Sequence, residues 1–206
     1  MNKIFTGVLL AAAVTSFAQD LKLKVEPLIG AGYTMPTGEG SEEFDGSYSY
    51  SAGVQARIDL GVFSILPGLL YNTRVASTDS EETIGLITAK TTSDLAMSFI
   101  QVPLLFSYPV TEGLNVIVGP QLWSNLGGEA ALTVDVDGAE TETTVKIDKD
   151  LTALGFSAVA GAEYVVNQDI TVSVRYDYQL SSTSSADGAD GGINEIAVIA
   201  SYGFGL

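Results

Sequence analysis

The sequence predicts an all-β fold, an eight-stranded antiparallel up-and-down transmembrane β-barrel, and three observations carry that prediction. First, residues 94–108 and 114–126 each place Leu, Val, Ile, Phe or Tyr on alternate positions, on either side of a tight corner at 109–113. Alternation at period two makes one face of a strand continuously apolar. Such arms exceed the usual strand of roughly five or six residues and suit the tilted strand of about 9–11 residues that crosses a bilayer. Second, the pattern recurs along the chain, and its polar breaks alternate between short and long, as periplasmic turns and extracellular loops do. Third, the parity opposite the apolar one carries Glu26, Arg57, Asp59, Arg74, Gln101, Glu163, Arg175, Asp177 and Glu195. That is too much charge for the inward face of a soluble ligand-binding barrel, and it suits the filled polar interior of a small membrane barrel.

Taken in order, the chain opens with one positive charge at Lys3, an uncharged apolar run over 4–14, and Ser16-Phe17-Ala18 before Gln19. This is the layout of a secretory signal peptide, with cleavage expected after Ala18. The run is too short for an anchor helix, which needs about 20 apolar residues. The expected organisation is a signal peptide over 1–18 and a barrel domain over 19–206.

The first strand is expected over 23–35, followed by a long Gly/Glu/Ser break over 36–49. The second, over 50–60, sets Tyr50, Ala52, Val54, Ala56 and Ile58 against Ser51, Gly53, Gln55, Arg57 and Asp59. A short turn leads to the third strand, 63–75, and a long polar segment over 76–93 precedes the central hairpin. The longest break, 127–151, follows the fifth strand. The sixth strand is expected over 152–165, the seventh over 170–180 after a tight turn at 166–169, and the eighth over 193–204 after a Ser/Asp/Gly stretch. An even strand count puts both termini on the periplasmic side.

Aromatic residues gather near the expected strand ends. Phe63, Tyr108, Tyr164, Tyr202 and Phe204 fall at one rim, and Tyr33, Tyr50, Tyr71, Phe156 and Tyr178 at the other, where amphipathic rings prefer to sit. Pro27, Pro67, Pro103 and Pro120 lie inside expected strands, and a closed barrel has no edge on which a missing N–H is harmless. Each is expected to mark a bulge or a strand end. A bulge at Gly119-Pro120 would switch the parity downstream, so the pattern leaves Trp123 open between lipid and lumen.

The Ala18-Gln19 signal end, the run Ile100-Gln101-Val102-Pro103-Leu104-Leu105, the corner with Gly113-Leu114, and Val118-Gly119-Pro120-Gln121-Leu122 resemble the outer-membrane β-barrel domain of Bacteroidetes-type bacteria. These are often called porin-family or PorT-like proteins. The resemblance covers essentially the mature chain, with its specific motifs in the central hairpin. It implies an eight-stranded barrel in the outer membrane of a Gram-negative cell. It implies no activity, although PorT itself is linked to a protein-secretion machine.

Composition narrows the function. The chain carries a formal charge of −16, one unit more negative once Lys3 leaves with the signal, so nucleic acid is excluded as a partner. There is no Cys, and a closed barrel needs none. There is no His either, which removes the commonest general base and metal ligand. Carboxylates alone, such as Asp59 and Glu163 near one rim, remain for chemistry. No spacing singles out a nucleophile or a poised acid, and no enzyme is expected. No cofactor and no metal site are expected, and the barrel is expected to be a monomer.

Eight strands enclose a lumen that side chains fill. Glu26, Arg57, Asp59, Arg74, Glu163, Arg175, Asp177 and Glu195 are expected to form a lumen charge network that plugs the barrel, since buried charges persist only when paired. The alternative is a small porin or passive channel for small solutes, lined by the same groups. Acids crowd the long breaks, with Glu39, Glu42, Glu43 and Asp45, then Asp79, Glu81 and Glu82, then seven between Glu129 and Asp150, then Asp187 and Asp190. They face only Lys90, Lys146 and Lys149. Such a surface gives solubility and repels anionic lipopolysaccharide, or it bridges to lipopolysaccharide through divalent cations or selects a cationic partner.

Residues 131–147 alternate on both sides of Asp137-Gly138, a strong hairpin signal. The strands should therefore continue past the membrane as an acidic ribbon, with Asp135, Asp137, Glu140 and Glu142 carrying loop interactions. The Asp135-x-Asp137-Gly138 spacing lacks the later ligands of a calcium loop. The function expected is a non-enzymatic outer-membrane barrel with a structural or surface-interaction role. The partners expected are outer-membrane lipid and lipopolysaccharide, and an extracellular or secretion-complex protein.

Overall fold

The computed structural model describes residues 22–38, 45–84, 87–136, 139–147, 154–181 and 191–205. The expected signal peptide, Asp137 and the acids of the first and fourth long breaks other than Asp45 lie outside the described residues. Among the described residues ten strands form one antiparallel sheet: β1 (Lys22–Gly38), β2 (Asp45–Asp59), β3 (Ser64–Ile84), β4 (Ile87–Thr111), β5 (Leu114–Val136), β6 (Ala139–Ile147), β7 (Gly155–Val165), β8 (Ile170–Gln179), β9 (Gly191–Tyr202) and β10 (Phe204–Gly205). Each strand of the wall pairs with the next, β6 branches from β5, and β9 pairs back onto β1 from Gly38↔Gly191 to Leu28↔Ser201. Eight strands thus close a cylinder and leave its wall without an edge. The eighth expected strand breaks at Gly203, and its remainder, β10, continues the pairing with Lys24 and Val25.

Burial follows the predicted parity. In β8, Ile170, Val174, Tyr176 and Tyr178 point outward and are exposed, while Thr171, Ser173, Arg175, Asp177 and Gln179 are buried. The outward face is an apolar band edged by rings, such as the tilted Phe63–Phe106 pair at 6.3 Å and the Tyr202–Phe204 pair at 4.8 Å.

Several expectations on the central strands change. The corner at 109–113 is tighter than expected. β4 runs to Thr111, past an irregularity between Pro109 and Thr111, and only Glu112-Gly113 turns the chain, with Gly113 at φ 78° where a side chain would be strained. The polar segment expected over 76–93 is a ribbon, because β3 and β4 stay paired as far as Ile84↔Ile87. The third break folds as expected, with β5 and β6 paired from Gly128↔Ile147 to Val136↔Ala139.

The prolines correct the expectation of bulges. The pairs Ala56↔Pro67, Gly68↔Pro103 and Leu104↔Pro120 are missing, each with its neighbour, yet pairing resumes in the same register in all three ladders. Each proline stays paired with the following strand, through Pro67↔Leu104, Pro103↔Gln121 and Pro120↔Ala158. The missing N–H of each therefore interrupts the ladder toward the preceding strand without shifting it. Pro27 obeys the same rule, paired with Val54 and placed opposite the Gly203 break.

The bulge lies instead at Leu126, the extra residue between Phe99↔Asn125 and Ser98↔Gly127, with Gly127 at φ 127°. Because the parity switch comes after Trp123, the indole stays inside at 1% exposure. It packs edge-on against Phe99 at 5.6 Å, with Met97 and Ile193 beside it. A Cβ on Gly155 would collide with the indole, so a glycine is needed opposite.

Trp123 is the single tryptophan, so its fluorescence reports this placement. Brominated acyl chains should leave the emission of the refolded barrel nearly unquenched. Quenching as deep as that of an indole introduced at Val198, which is exposed on the outer face, would place Trp123 in lipid.

Candidate functional site: the lumen and the outer sheet

The lumen is filled in layers. Nearest the short turns, Arg57 lies between two carboxylates from opposite walls, with Nε donating to Glu26 Oε1 at 2.7 Å and Nη1 to Glu163 Oε1 at 2.8 Å. Gln55 donates to Glu26 at 2.6 Å, and Ser107 and Asn115 donate to Glu163 at 2.6 and 2.9 Å. These bonds fill the lone pairs that a buried carboxylate must satisfy. Above this layer sit two apolar clusters, Leu66, Leu105, Ile117 and Val159, and Leu28, Leu70, Ala197 and Ile199. Then comes Arg74, at 0% exposure. It pairs with Asp177 and with Glu195 at 3.0 Å, and its guanidinium lies 5.5 Å from the Phe99 ring centre. Asn72 and Ser49 complete Glu195, and Gln121 donates to Asp177 at 2.8 Å. The layer of Met97, Phe99, Trp123 and Ile193 covers the top.

Two members expected in the charge network stand apart from it. Arg175 has no carboxylate partner among the described salt bridges, and donates instead to Gln55 Oε1 at 3.0 Å and Ser173 Oγ at 3.2 Å. Gln55 therefore links it to Glu26. Asp59 accepts the Gly61 N–H at 2.8 Å and so caps the first short turn. Asp59 and Glu163 are thus engaged in separate structural roles, Asp59 at the turn and Glu163 with Arg57, Ser107 and Asn115. The apolar layers were missed in the sequence because Leu28, Leu66, Leu70, Leu105 and Ile117 share a parity with charged residues. The signal available was that both parities of the third and fourth strands carry Leu.

The cavity between Leu70, Asn72, Gln101, Arg175 and Asp177 has a volume of about 30 Å³, enough for one or two water molecules and not for a solute. Within the described residues the lumen is packed, as expected for eight strands.

The outer end of the wall is built differently. From Trp123 downward β5 pairs with β7, and from Gly128 upward it pairs with β6. β2 leaves β3 at Asp45↔Ser77, while β3 and β4 continue together and β4 follows β5 as far as Ala89↔Val136. A four-stranded sheet of β3, β4, β5 and β6 therefore stands beyond the cylinder. Among the described residues β6 pairs with β5 alone, so its outer edge is open. Residues 141–146 are exposed on both faces. Of the expected interaction residues, Glu142 is exposed and Asp135 half-buried, at the registers Thr133↔Glu142 and Asp135↔Glu140.

The described residues contain no cluster of three or more Asp or Glu that could hold a metal ion. Replacing Arg74 by Met should cost about 3–5 kcal/mol, because Asp177 and Glu195 are left buried without their cation. Replacing Arg175 by Met should cost less, about 1–3 kcal/mol, because its direct hydrogen bonds go to neutral partners and no carboxylate loses its ion pair. Urea unfolding in lipid vesicles measures both, and equal losses would contradict this assignment of partners.

The model of the family described as outer membrane protein β-barrel domain matches residues 17–185. Among solved structures, the Neisserial surface protein A is 11% identical, covering 87% of this chain and 97% of its own, with a TM-score of 0.46. The attachment invasion locus protein Ail of Yersinia pestis is 13% identical over 89% of this chain and 98% of its own, with a TM-score of 0.36. The N-terminal β-barrel domain of Pseudomonas aeruginosa OprF is 12% identical over 89% and 97%, with a TM-score of 0.37. No match was found among curated proteins.

Proposed function

This chain belongs to the outer membrane protein β-barrel domain family and resides in the outer membrane, and on that premise we propose that it is a non-enzymatic surface-interaction protein. Its filled barrel serves as an anchor, and its acidic outer sheet makes the contacts. The observation that carries this reading is the partner exchange of β5, which leaves β6 with one paired edge and, among the described residues, one open edge. An open strand edge presents unpaired N–H and C=O groups, which an extended segment of another chain can join by strand addition. The sheet carries Glu129, Asp135 and Glu142, so the field outside it favours a segment with basic residues.

The porin alternative needs a continuous path, and two ion-pair layers separated by apolar side chains argue against it. The finer Bacteroidetes-type, PorT-like reading rests on the residues of the central hairpin. A role in a secretion or assembly complex would use the same open edge.

Two measurements test the proposal. Purified protein in a planar bilayer should show no discrete openings, and regular single-channel steps would favour the pore. Surface crosslinking on intact cells should capture a protein partner with the whole chain and lose it when residues 130–145 are deleted. Capture of the same partner by the deleted form, with the barrel still heat-modifiable on a gel, would move the contact elsewhere.

A further inference from the structure

The outward face of β3 and β4 changes character near its outer end. Leu69 and Tyr71 on β3, and Leu104, Val102 and Ile100 on β4, meet the hydrocarbon, but the next outward positions are Thr73 and Ser98, directly paired across the ladder. Their hydroxyls are 3.3 Å apart, and Tyr71 Oη lies 2.9 Å from Ser98 Oγ. Thr73 is buried at this position, whereas Tyr71 is exposed and Ser98 half-buried. Outward hydroxyls are costly against hydrocarbon and stable against headgroups, so Tyr71 and Ser98 mark the level where acyl chains end. A groove of about 430 Å³ opens on the outer wall there. The bulge at Leu126, followed by Gly127-Gly128 without side chains, hollows its floor, Tyr50 and Tyr71 form one side, and Lys146 overhangs the other from β6. The Lys146 ammonium is 3.9 Å from Glu129, and both side chains are largely exposed. Such a loose pair contributes little, so the cation can exchange its partner at small cost.

We propose that this groove binds the phosphorylated amino-sugar headgroup of lipopolysaccharide from the surrounding outer leaflet. Three features fit that ligand together. Lys146 supplies the cation for the phosphate. The hydroxyls of Tyr71 and Ser98 donate to and accept from sugar hydroxyl and amide groups, with the buried Thr73 hydroxyl orienting Ser98. The rings of Tyr50 and Tyr71 face a sugar with their apolar sides and water with their hydroxyls. The groove continues the lipid-facing wall, so a headgroup enters it with its acyl chains already lying along Leu69, Ile100 and Val102. Glu129, released from Lys146, accepts from a sugar hydroxyl. A bound headgroup would seat the foot of the outer sheet, which joins this site to the strands that rise above it.

The test is native mass spectrometry of the folded barrel titrated with bisphosphorylated lipid A. The native chain should retain one lipid A in a saturable manner. Lys146→Ala should weaken retention about tenfold, the loss expected for one charge-assisted bond, and the double variant Tyr71→Phe with Ser98→Ala by a similar factor. Lys90→Ala, which removes an exposed cation higher on the same sheet, should leave retention unchanged. A heat-modifiability gel establishes that each variant is folded. If the double variant does not fold, the exposed Lys146 decides alone. Equal weakening by Lys146→Ala and Lys90→Ala, or weakening by neither, overturns the proposal. Displacement by glucosamine 1-phosphate as readily as by lipid A would make the ligand a soluble sugar phosphate and also overturns it.

Discussion

A cylinder in hydrocarbon must turn its charges inward, and each inward charge must find its counter-charge there or cost several kcal/mol. That constraint shapes the interior of this barrel. Each of two arginines serves two carboxylates, and each makes at least one pair across the lumen. Arg57 on β2 joins Glu26 on β1 to Glu163 on β7, and Arg74 on β3 joins Asp177 on β8 to Glu195 on β9. The ladder holds each strand to its neighbours; Arg57–Glu163 and the two pairs of Arg74 hold strands across the barrel, while Arg57–Glu26 braces the neighbours β2 and β1. Gln55 then relates the lower layer to Arg175, donating to Glu26 while it accepts from the guanidinium. A neutral amide can do both, which a carboxylate cannot.

Between the ion-pair layers the lumen is apolar, and this follows from the same constraint. Continuous charge through the cylinder would need more counter-ions and bound water than eight strands can enclose. Leu66, Leu105, Ile117 and Val159 fill the space without unmet polar groups. The wall is most permissive at this height. Pro67, Pro103 and Pro120 each give up a ladder position toward the preceding strand and keep one toward the following strand. The register survives because the losses are local, and the alternation of buried and exposed residues on both sides of each gap holds it in place.

Much of this was legible in the sequence, and the omissions share a cause. Where lipid lies outside, Ile170, Val172, Val174, Tyr176 and Tyr178 fall on one parity, and the strands and their direction can be read from it. Beyond the hydrocarbon that signal disappears. Residues 76–93 carry Thr, Ser and acids on both parities and read as loop, yet they form the ribbon of β3 and β4. Their β-propensity lay in Thr78, Thr83, Thr88, Thr91 and Thr92, not in alternation. The 131–147 ribbon was readable because Asp137-Gly138 marks its turn. Ion-pair partners were harder. Parity places Arg175 and Asp59 inside but does not choose partners: Arg175 donates to Gln55 and Ser173 and not directly to a carboxylate, and Asp59 caps the turn.

The bulge at Leu126 ties the two halves together. Over a few residues around it β5 exchanges β7 for β6, the buried parity passes from Gln121 and Trp123 to Gly128, and the outward face changes from Leu104 and Val102 to Ser98. These changes coincide because each answers the same boundary. A wall in lipid must be closed, whereas a sheet in water can have an edge. One extra residue rotates β5 out of the cylinder, and the strand that made a wall becomes the base of a free sheet. The cylinder thus sets where the sheet begins, and the open edge of β6 is a consequence of leaving the membrane.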